Sequence, residues 1–322
     1  MKIALVAGGY VPAPPLSNSI LTLIQEYKYF LDNIGHQVDI FNYKDVNEVI
    51  DKINNNNYDF VHLHAYQFVS QFNQSLKQKY CFSCHNGYFL KEDKWEEDFK
   101  QGFQHFLSIP GIIALSQVTK NFFLQTGYSG YISVQVNGID TQKVNFQEQG
   151  NNKAICLGWI QPRKQQKILA QIIDGKLEID FVGPVDDPDF VEGSTTKHLG
   201  VWSLKQVYSQ LTNYSCLVLI SDGEVAPLVV LEAMAAGLCV VVSESASANL
   251  HSKDFIRVLP DDILTNATTE NQKIVCDAII DLIDKNKYVR QEIVEYVRAN
   301  FDFSHITKNY IQMIDEFNNF YI

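Results

Sequence analysis

Residues 221–243 read SDGEVAPLVVLEAMAAGLCVVVS, and their types divide the segment into loop, helix and strand. The apolar run CLVLI just before it, residues 216–220, supplies a first strand. Pro227 suits the first turn of a helix, where its missing N–H costs nothing. Residues 228–236 include several good helix formers, and Gly237 is a natural stop. A β-branched run then makes the second strand. Two carboxylates, Glu224 and Glu232, are separated by seven residues. Glu224 falls in the loop at the carboxyl end of a strand. Glu232 falls inside the helix, a little over one turn from its start.

A helix N-terminus offers unpaired N–H groups and a partial positive charge, which suit a diphosphate. A carboxylate one turn further on can accept two hydrogen bonds from a vicinal diol such as a ribose. A carboxylate in the preceding loop can reach hydroxyls beyond the phosphates. The pattern fits a nucleotide diphosphate-sugar. An acidic first turn that only complements the helix dipole would carry the same letters, so spacing alone leaves both readings open.

The rest of the chain bounds the answer. A length of 322 residues suggests two domains, and 46% hydrophobic content can fill a substantial core. A net charge of -11 excludes a general nucleic-acid binder, which would show a basic footprint. It gives no sign of an electrostatic membrane anchor either, although weak membrane-surface association stays open. No run of 18 apolar residues occurs, so no spanning helix is expected. The start, MKIALVAGGY, lacks a full signal-peptide h-region and cleavage site and reads as a buried strand. The expected location is cytoplasmic, or a host's cytoplasm if the source is viral. The oligomeric state is open.

The first half alternates strands and helices. Strands are expected at residues 2–8, 37–43, 59–66, in CFSCHNGY, and at 111–116 and 132–140. Helical periodicity covers residues 20–34, ended by Gly35, and 46–53. Such alternation implies a parallel sheet, with ligands at the carboxyl ends of its strands. The second half repeats the rhythm from AICLGWIQPRKQQKIL, residues 154–169, and a last helix is expected over residues 306–317.

The 221–243 segment resembles the signature of the retaining glycosyltransferases of family four. In that family two Glu with seven residues between them are followed by Ala-Met-Ala-x-Gly, and LEAMAAG, residues 231–237, is similar to it. Shorter likenesses run along the first half in the family's order: GHQVDIF (35–41), FVHLHA (60–65), ALSQ (114–117) and VNGID (136–140). The resemblance implies an α/β protein with the GT-B fold, two Rossmann-like doubly wound parallel-sheet domains facing across a cleft. Residues 1–145 would be the acceptor-side domain and 146–305 the nucleotide-sugar-binding domain. The terminal helix, 306–322, would pack back on the first. It implies transfer of a sugar from a nucleotide-sugar, UDP favoured over GDP, to an acceptor hydroxyl on a glycan, lipid or protein-linked sugar. No metal and no resident cofactor are expected.

The family's site roles transfer residue by residue. Glu224 matches the Glu on the donor sugar hydroxyls, and Glu232 the Glu on the ribose. Gly158 and Lys164 match a Gly and a Lys beside the diphosphate, with Arg163 adjacent. Diphosphate would also meet the helix start at Pro227, Leu228 and Val229. Val201 would lie by the nucleobase; Trp202 reads more as a core residue. His85 matches a His that reaches the donor sugar and helps catalysis, and His64 is a candidate for the acceptor side. His62 shares the strand face of His64 and reads as packed. Gly9, Asn18 and Ser19 would form the first domain's loop at the cleft.

Three positions depart from the family. Trp159 stands where it has an Arg that neutralises diphosphate. Asn18 and Ser19 stand where many members have Gly-Gly. Cys239 replaces a Pro. The first two keep a second reading alive, a non-catalytic GT-B scaffold or binding protein; a sugar-nucleotide epimerase or phosphorylase on the same fold is a third. Cys81-Phe82-Ser83-Cys84-His85 also spells the haem c attachment pattern, but haem attachment requires export, and the six cysteines read instead as reduced, mostly buried thiols.

Overall fold

The computed structural model describes residues 1–9, 19–266 and 268–322. Asn18 and the VPAPPLS loop before it lie outside the described residues. The chain divides into two compact units, one of residues up to Gly138 together with Phe303–Ile322, the other of Ile139–Asp302.

The first unit is built on six parallel strands: β1 (Lys2–Val6), β2 (Gln37–Phe41), β3 (Phe60–Leu63), β4 (Cys81–Phe82), β5 (Gly111–Ala114) and β6 (Tyr131–Val134), in the order β2-β1-β3-β4-β5-β6. Between them run α1 (Ser19–Asn33), α2 (Val46–Asn54), α3 (Val69–Ser75), α4 (Glu97–Phe106) and α5 (Gln117–Gln125). β1, β3, β4 and β5 are almost wholly buried and read as short apolar runs, whereas β2 and β6 at the sheet edges are partly exposed. They end earlier than the sequence pattern suggests. β6 ends at Val134, with the Gln135 N–H still reaching the Ala114 carbonyl at 2.9 Å while its side chain donates to the Ile306 carbonyl at 3.0 Å.

The second unit carries β7 (Ala154–Leu157), α6 (Gln166–Ile173), β8 (Ile179–Val182), β9 (Thr196–His198), α7 (Leu204–Gln210), β10 (Cys216–Leu219), α8 (Leu228–Ala235), β11 (Cys239–Ser243), β12 (Ile256–Leu259) and the long α9 (Thr269–Phe301). Its six parallel strands run β12-β11-β10-β7-β8-β9. Counted from β7, this is the doubly wound order with its reversal between β7 and β10, and such sheets bind ligands outside the carboxyl ends of the strands at that reversal.

One buried cation ties this unit's loops together. Arg290 on α9 is 3% exposed. It donates to the carbonyls of Gln147 (2.9 Å), Tyr214 (2.7 Å), Thr212 (2.6 Å) and Ala236 (3.1 Å), and to Asn286 Oδ1 at 2.7 Å. The Ala236 bond satisfies a carbonyl left over at the end of α8.

α9 ends where Asp302 turns extended (φ -63°, ψ 135°), and α10 (Phe303–Phe320) begins in the first unit, three residues before the expected start. It is anchored there by rings. Tyr27 of α1 lies 5.0 Å from Phe303 and 4.5 Å from Tyr310, and Phe60 lies 5.6 Å from Phe317, centroid to centroid. Among the described residues no helix is long and apolar enough to cross a membrane.

Candidate functional site

Three strands of the second unit end in glycine: Gly158 after β7, Gly183 after β8 and Gly200 closing the turn after β9. Their N–H groups extend the ladder, Gly158 to the Val182 carbonyl and Gly183 to that of Gly200, both at 2.9 Å. Gly183 adopts φ +142°, and a Cβ there would stand 2.0 Å from the Gly158 oxygen. Gly158 adopts φ +140°, and a Cβ there would stand 2.9 Å from Lys164 Nζ. The missing side chain is what lets the ammonium fold over the strand end.

The loop carrying that lysine is firmly held. Gln166 Nε2 donates to the Trp159 carbonyl at 2.7 Å, and Gln166 Oε1 accepts from the Gln161 N–H at 3.2 Å. The Ile160 N–H reaches the Pro184 carbonyl at 2.8 Å. Gln165 turns left-handed (φ 55°) to start α6, and its Nε2 donates to the Asp261 carbonyl at 3.0 Å. Trp159 itself is 46% exposed and contributes no cation.

Opposite, across the β7–β10 reversal, residues 221–227 leave β10 and enter α8. Pro227 is extended (φ -68°, ψ 123°) and caps the helix from outside; the sequence reading placed it in the first turn. The shift follows from Ala226, whose φ of 85° turns the chain one residue earlier than the proline expects. An Ala in that region costs about 1–2 kcal/mol, and such strain gathers at functional sites. Leu228 and Val229 then open α8, their N–H groups being those a helix leaves unbonded.

The carboxylates and cations meet in an arrangement the sequence did not show. Glu224 is 9% exposed. Its Oε1 lies 3.1 Å from Arg163 Nη1, 3.6 Å from Lys164 Nζ and 3.4 Å from Ser221 Oγ. Arg163 grips the same loop twice more: its guanidinium donates to the Gly223 carbonyl, and its own carbonyl accepts from the Asp222 N–H at 2.8 Å. Arg163 is thus committed to the 221–224 loop, whereas Lys164 touches Glu224 only at the limit of an ion pair. Glu232 projects from the second turn of α8, half-buried, and burial holds its carboxyl up at about 7. No hydrogen bond or ion pair among the described residues reaches it. Val201 follows Gly200 half-buried, and the Trp202 ring lies 6.3 Å from that of Tyr214.

In the first unit, Gly8 and Gly9 follow β1 at the β1–β3 reversal, both at φ +78°. A Cβ on Gly8 would stand 2.4 Å from that of Ala65, and one on Gly9 2.6 Å from Lys44 Cγ. Ser19 is the first residue of α1. His64 follows β3 and His85 follows β4, and their rings meet: His64 Nδ1 and His85 Nε2 are 3.0 Å apart. The sequence treated them as separate sites, one for acceptor and one for donor sugar. Their contact follows from the parallel pairing of β3 with β4, His62 opposite Cys81, which carries both chains onward side by side. His62 is packed as expected, bonded to Tyr310 Oη and Ser83 Oγ. Cys81 and Cys84 are buried, unpaired thiols, as are the other four cysteines. Burial pushes the Cys84 thiol up to about 12, the opposite of a reactive or ligating sulfur.

Sequence reasoning missed Gln165, Gln166, Ser221 and Gly183. The repeated glycine after β7, β8 and β9 was the available signal for the last. The glutamines carried none, since their work depends on which carbonyls the fold brings near.

Residues 151–285, which include every member of this second-unit site, match the family described as glycosyl transferases group 1. No curated protein matches the chain. Among solved structures, the Anabaena protein HepE, determined in complex with UDP and glucose, is 14% identical, with a TM-score of 0.76 over 98% of this chain and 100% of that one. AviGT4, a glycosyltransferase involved in avilamycin A biosynthesis, is 14% identical, with a TM-score of 0.73 over 99% and 98%. The sucrose-phosphate synthase of Thermosynechococcus elongatus is 16% identical, with a TM-score of 0.72 over 98% of each chain. The expected α/β architecture of two Rossmann-like, GT-B-type domains is borne out over the full length, and so is the resemblance to the group 1 glycosyl transferases.

Proposed function

We propose that the chain is a retaining glycosyltransferase that moves a sugar from a nucleotide diphosphate-sugar, a UDP-sugar in the first place, to an acceptor hydroxyl without a metal. The observation that carries this reading is Glu232. A carboxyl one turn beyond a helix start, half-buried and without a partner among the described residues, costs stability and is matched to a ligand diol. In the proposed complex Glu232 accepts both ribose hydroxyls. Diphosphate lies between Lys164 over Gly158 and the N–H groups of Leu228 and Val229. Glu224 accepts from the sugar hydroxyls while Arg163 holds its loop. Val201 borders the nucleobase. His85 and His64 keep the sugar and acceptor roles that the resemblance implies, and Gly9 and Ser19 belong to the loop that the resemblance places beside them.

Catalysis then rests on charge at the leaving group. Lys164 and the α8 N-terminus stabilise the departing diphosphate as the anomeric C–O bond breaks. The acceptor oxygen bonds to the anomeric carbon on the same face, and its proton passes to the departing phosphate. UDP is favoured because HepE was solved with it.

The exposed Trp159 favours one other reading, a GT-B protein that binds without transferring, since it leaves the diphosphate one cation short. One experiment separates the two. Thermal shifts are measured with UDP-, GDP- and ADP-sugars, with and without Mg²⁺, on wild type and Glu232→Ala, followed by assay for free nucleotide. A ligand at a hundredfold its Kd stabilises by about 2.7 kcal/mol. A metal-independent shift with one donor, lost in the variant and accompanied by nucleotide release, supports the enzyme. Binding without release supports the scaffold. Equal shifts in wild type and variant would overturn the ribose assignment.

A further inference from the structure

The first unit holds a row of three histidines whose protons the proposed function leaves unassigned. His62 and His64 lie with ring centroids 3.9 Å apart, and His64 and His85 5.2 Å apart. Each is held neutral. Burial and its two neighbours push the His64 imidazolium well below its ordinary range, and burial brings His85 down to about 4. Three neutral rings have three N–H protons among six nitrogens, and the hydrogen bonds decide where they sit.

The assignment starts from Ser83. Its hydroxyl lies 2.9 Å from the Ile113 carbonyl, which can only accept, so its one hydrogen points there. The same oxygen lies 2.9 Å from His62 Nε2, which must therefore be the donor. His62 Nδ1 is then bare and accepts from Tyr310 Oη at 2.8 Å. Burial raises the Tyr310 phenol well above its ordinary value, so that proton stays in place.

The next pair has two possible arrangements. His64 is 2% exposed, and its Nε2 has no hydrogen-bond partner among the described residues. If His85 Nε2–H donated to His64 Nδ1, the proton of His64 would sit on that buried, unbonded Nε2. If His64 Nδ1–H donates to His85 Nε2, the buried atom is a bare acceptor instead. Orphaned buried N–H groups are the rarer of the two.

We propose that His64 is a positioning residue: its Nδ1–H donates to His85 Nε2 and so fixes His85 as the Nδ1–H tautomer, which presents a neutral hydrogen-bond donor to an oxygen of the ligand. The tautomer itself is independent of the function proposed above; only the naming of that oxygen as a sugar hydroxyl rests on it. A fixed neutral donor can hold a hydroxyl oxygen without drawing a counter-charge into the site. It cannot act as the base on that atom.

The test is the long-range ¹H–¹⁵N imidazole spectrum of the ¹⁵N-labelled full chain at neutral pH, without ligand. The expected result is a protonated Nδ1 and a bare Nε2 for His85, and a protonated Nδ1 for His64. His64→Asn places an amide N–H where Nδ1–H stood and should leave the His85 pattern unchanged. His64→Leu removes the donor and should return His85 to the Nε2–H form that a free side chain prefers. A protonated Nε2 on His85 in the wild type overturns the proposal, as does a His85 pattern that His64→Leu leaves untouched. Should His64→Leu fail to fold, the wild-type spectrum decides alone. UDP-glucose added to the same sample tests the other reading: an unperturbed spectrum counts against nucleotide-sugar binding and leaves the tautomer assignment standing.

Discussion

Replacing Glu232 with Gln should make the protein more stable while removing its hold on ribose. The reasoning begins with the carboxyl's surroundings. Burial raises it from 4.5 to about 7, and no partner among the described residues compensates. The folded state therefore binds this proton more tightly than the unfolded chain does. Below about 4.5 the side chain is protonated in both states and carries no electrostatic penalty. As pH rises the unfolded chain ionises first, so stability is lost between about 4.5 and 7, and the full penalty persists above. At about 1.4 kcal/mol per pH unit the shift corresponds to roughly 3 kcal/mol. Partial exposure screens the charge and brings the expected figure to about 2 kcal/mol. Gln keeps the shape and cannot ionise. For a unit of this size that predicts a rise of about 4–8 °C in its melting transition at pH 8. Calorimetry of the full-length chain, wild type and Glu232→Gln, at pH 8 and pH 4.5 measures it. The gap should be open at pH 8 and nearly closed at pH 4.5. A variant that melts no higher than wild type at pH 8, or an equal gap at both values, would show that Glu232 carries no burial penalty.

The same carboxyl predicts that nucleotide affinity falls about tenfold per pH unit below about 7, because a diol is held by the ionised form; calorimetric titration of UDP from pH 5 to 8 checks this, and a flat profile counts against it. Arg290→Met should cost about 3–5 kcal/mol by leaving the buried carbonyls of Tyr214, Thr212 and Ala236 without donors, and Arg290→Lys should recover little of it, since one ammonium cannot reach the same atoms. Near-wild-type melting of either would show that water replaces the guanidinium. Gly183→Ala should destabilise by at least about 2 kcal/mol and weaken UDP binding, because its Cβ would displace the Gly158 carbonyl 2.0 Å away and with it the strand end under Lys164. Unchanged UDP affinity in that variant would separate the glycine stack from the donor site.

Much of this protein was legible along the chain. The strand–helix alternation, the split into two parallel sheets and the placing of Glu224 in a loop and Glu232 one turn into α8 all rest on local patterns, and α8 forms where helix formers and Gly237 put it. Element ends were less legible. Pro227 moved from the first turn to the cap because Ala226 takes a left-handed φ that no residue type announces. The Gln135 side chain bonds a carbonyl on α10, 171 residues away, a contact no local pattern announces.

Local pattern alone sets which groups are present and how far apart they stand along the chain: the carboxylates with seven residues between them, the glycines after β7, β8 and β9, the histidines at two strand ends. These follow from backbone periodicity, which acts over a few residues and needs no partner. Which of these groups meet depends on contacts between distant parts of the chain. The tertiary structure gave Arg163 to the 221–224 loop and left Lys164 over Gly158. It joined His64 to His85 across parallel strands, and among the described residues it left Glu232 without a partner. Charge pairing and desolvation act over a few ångströms of space, and strand order sets which distant residues come that close.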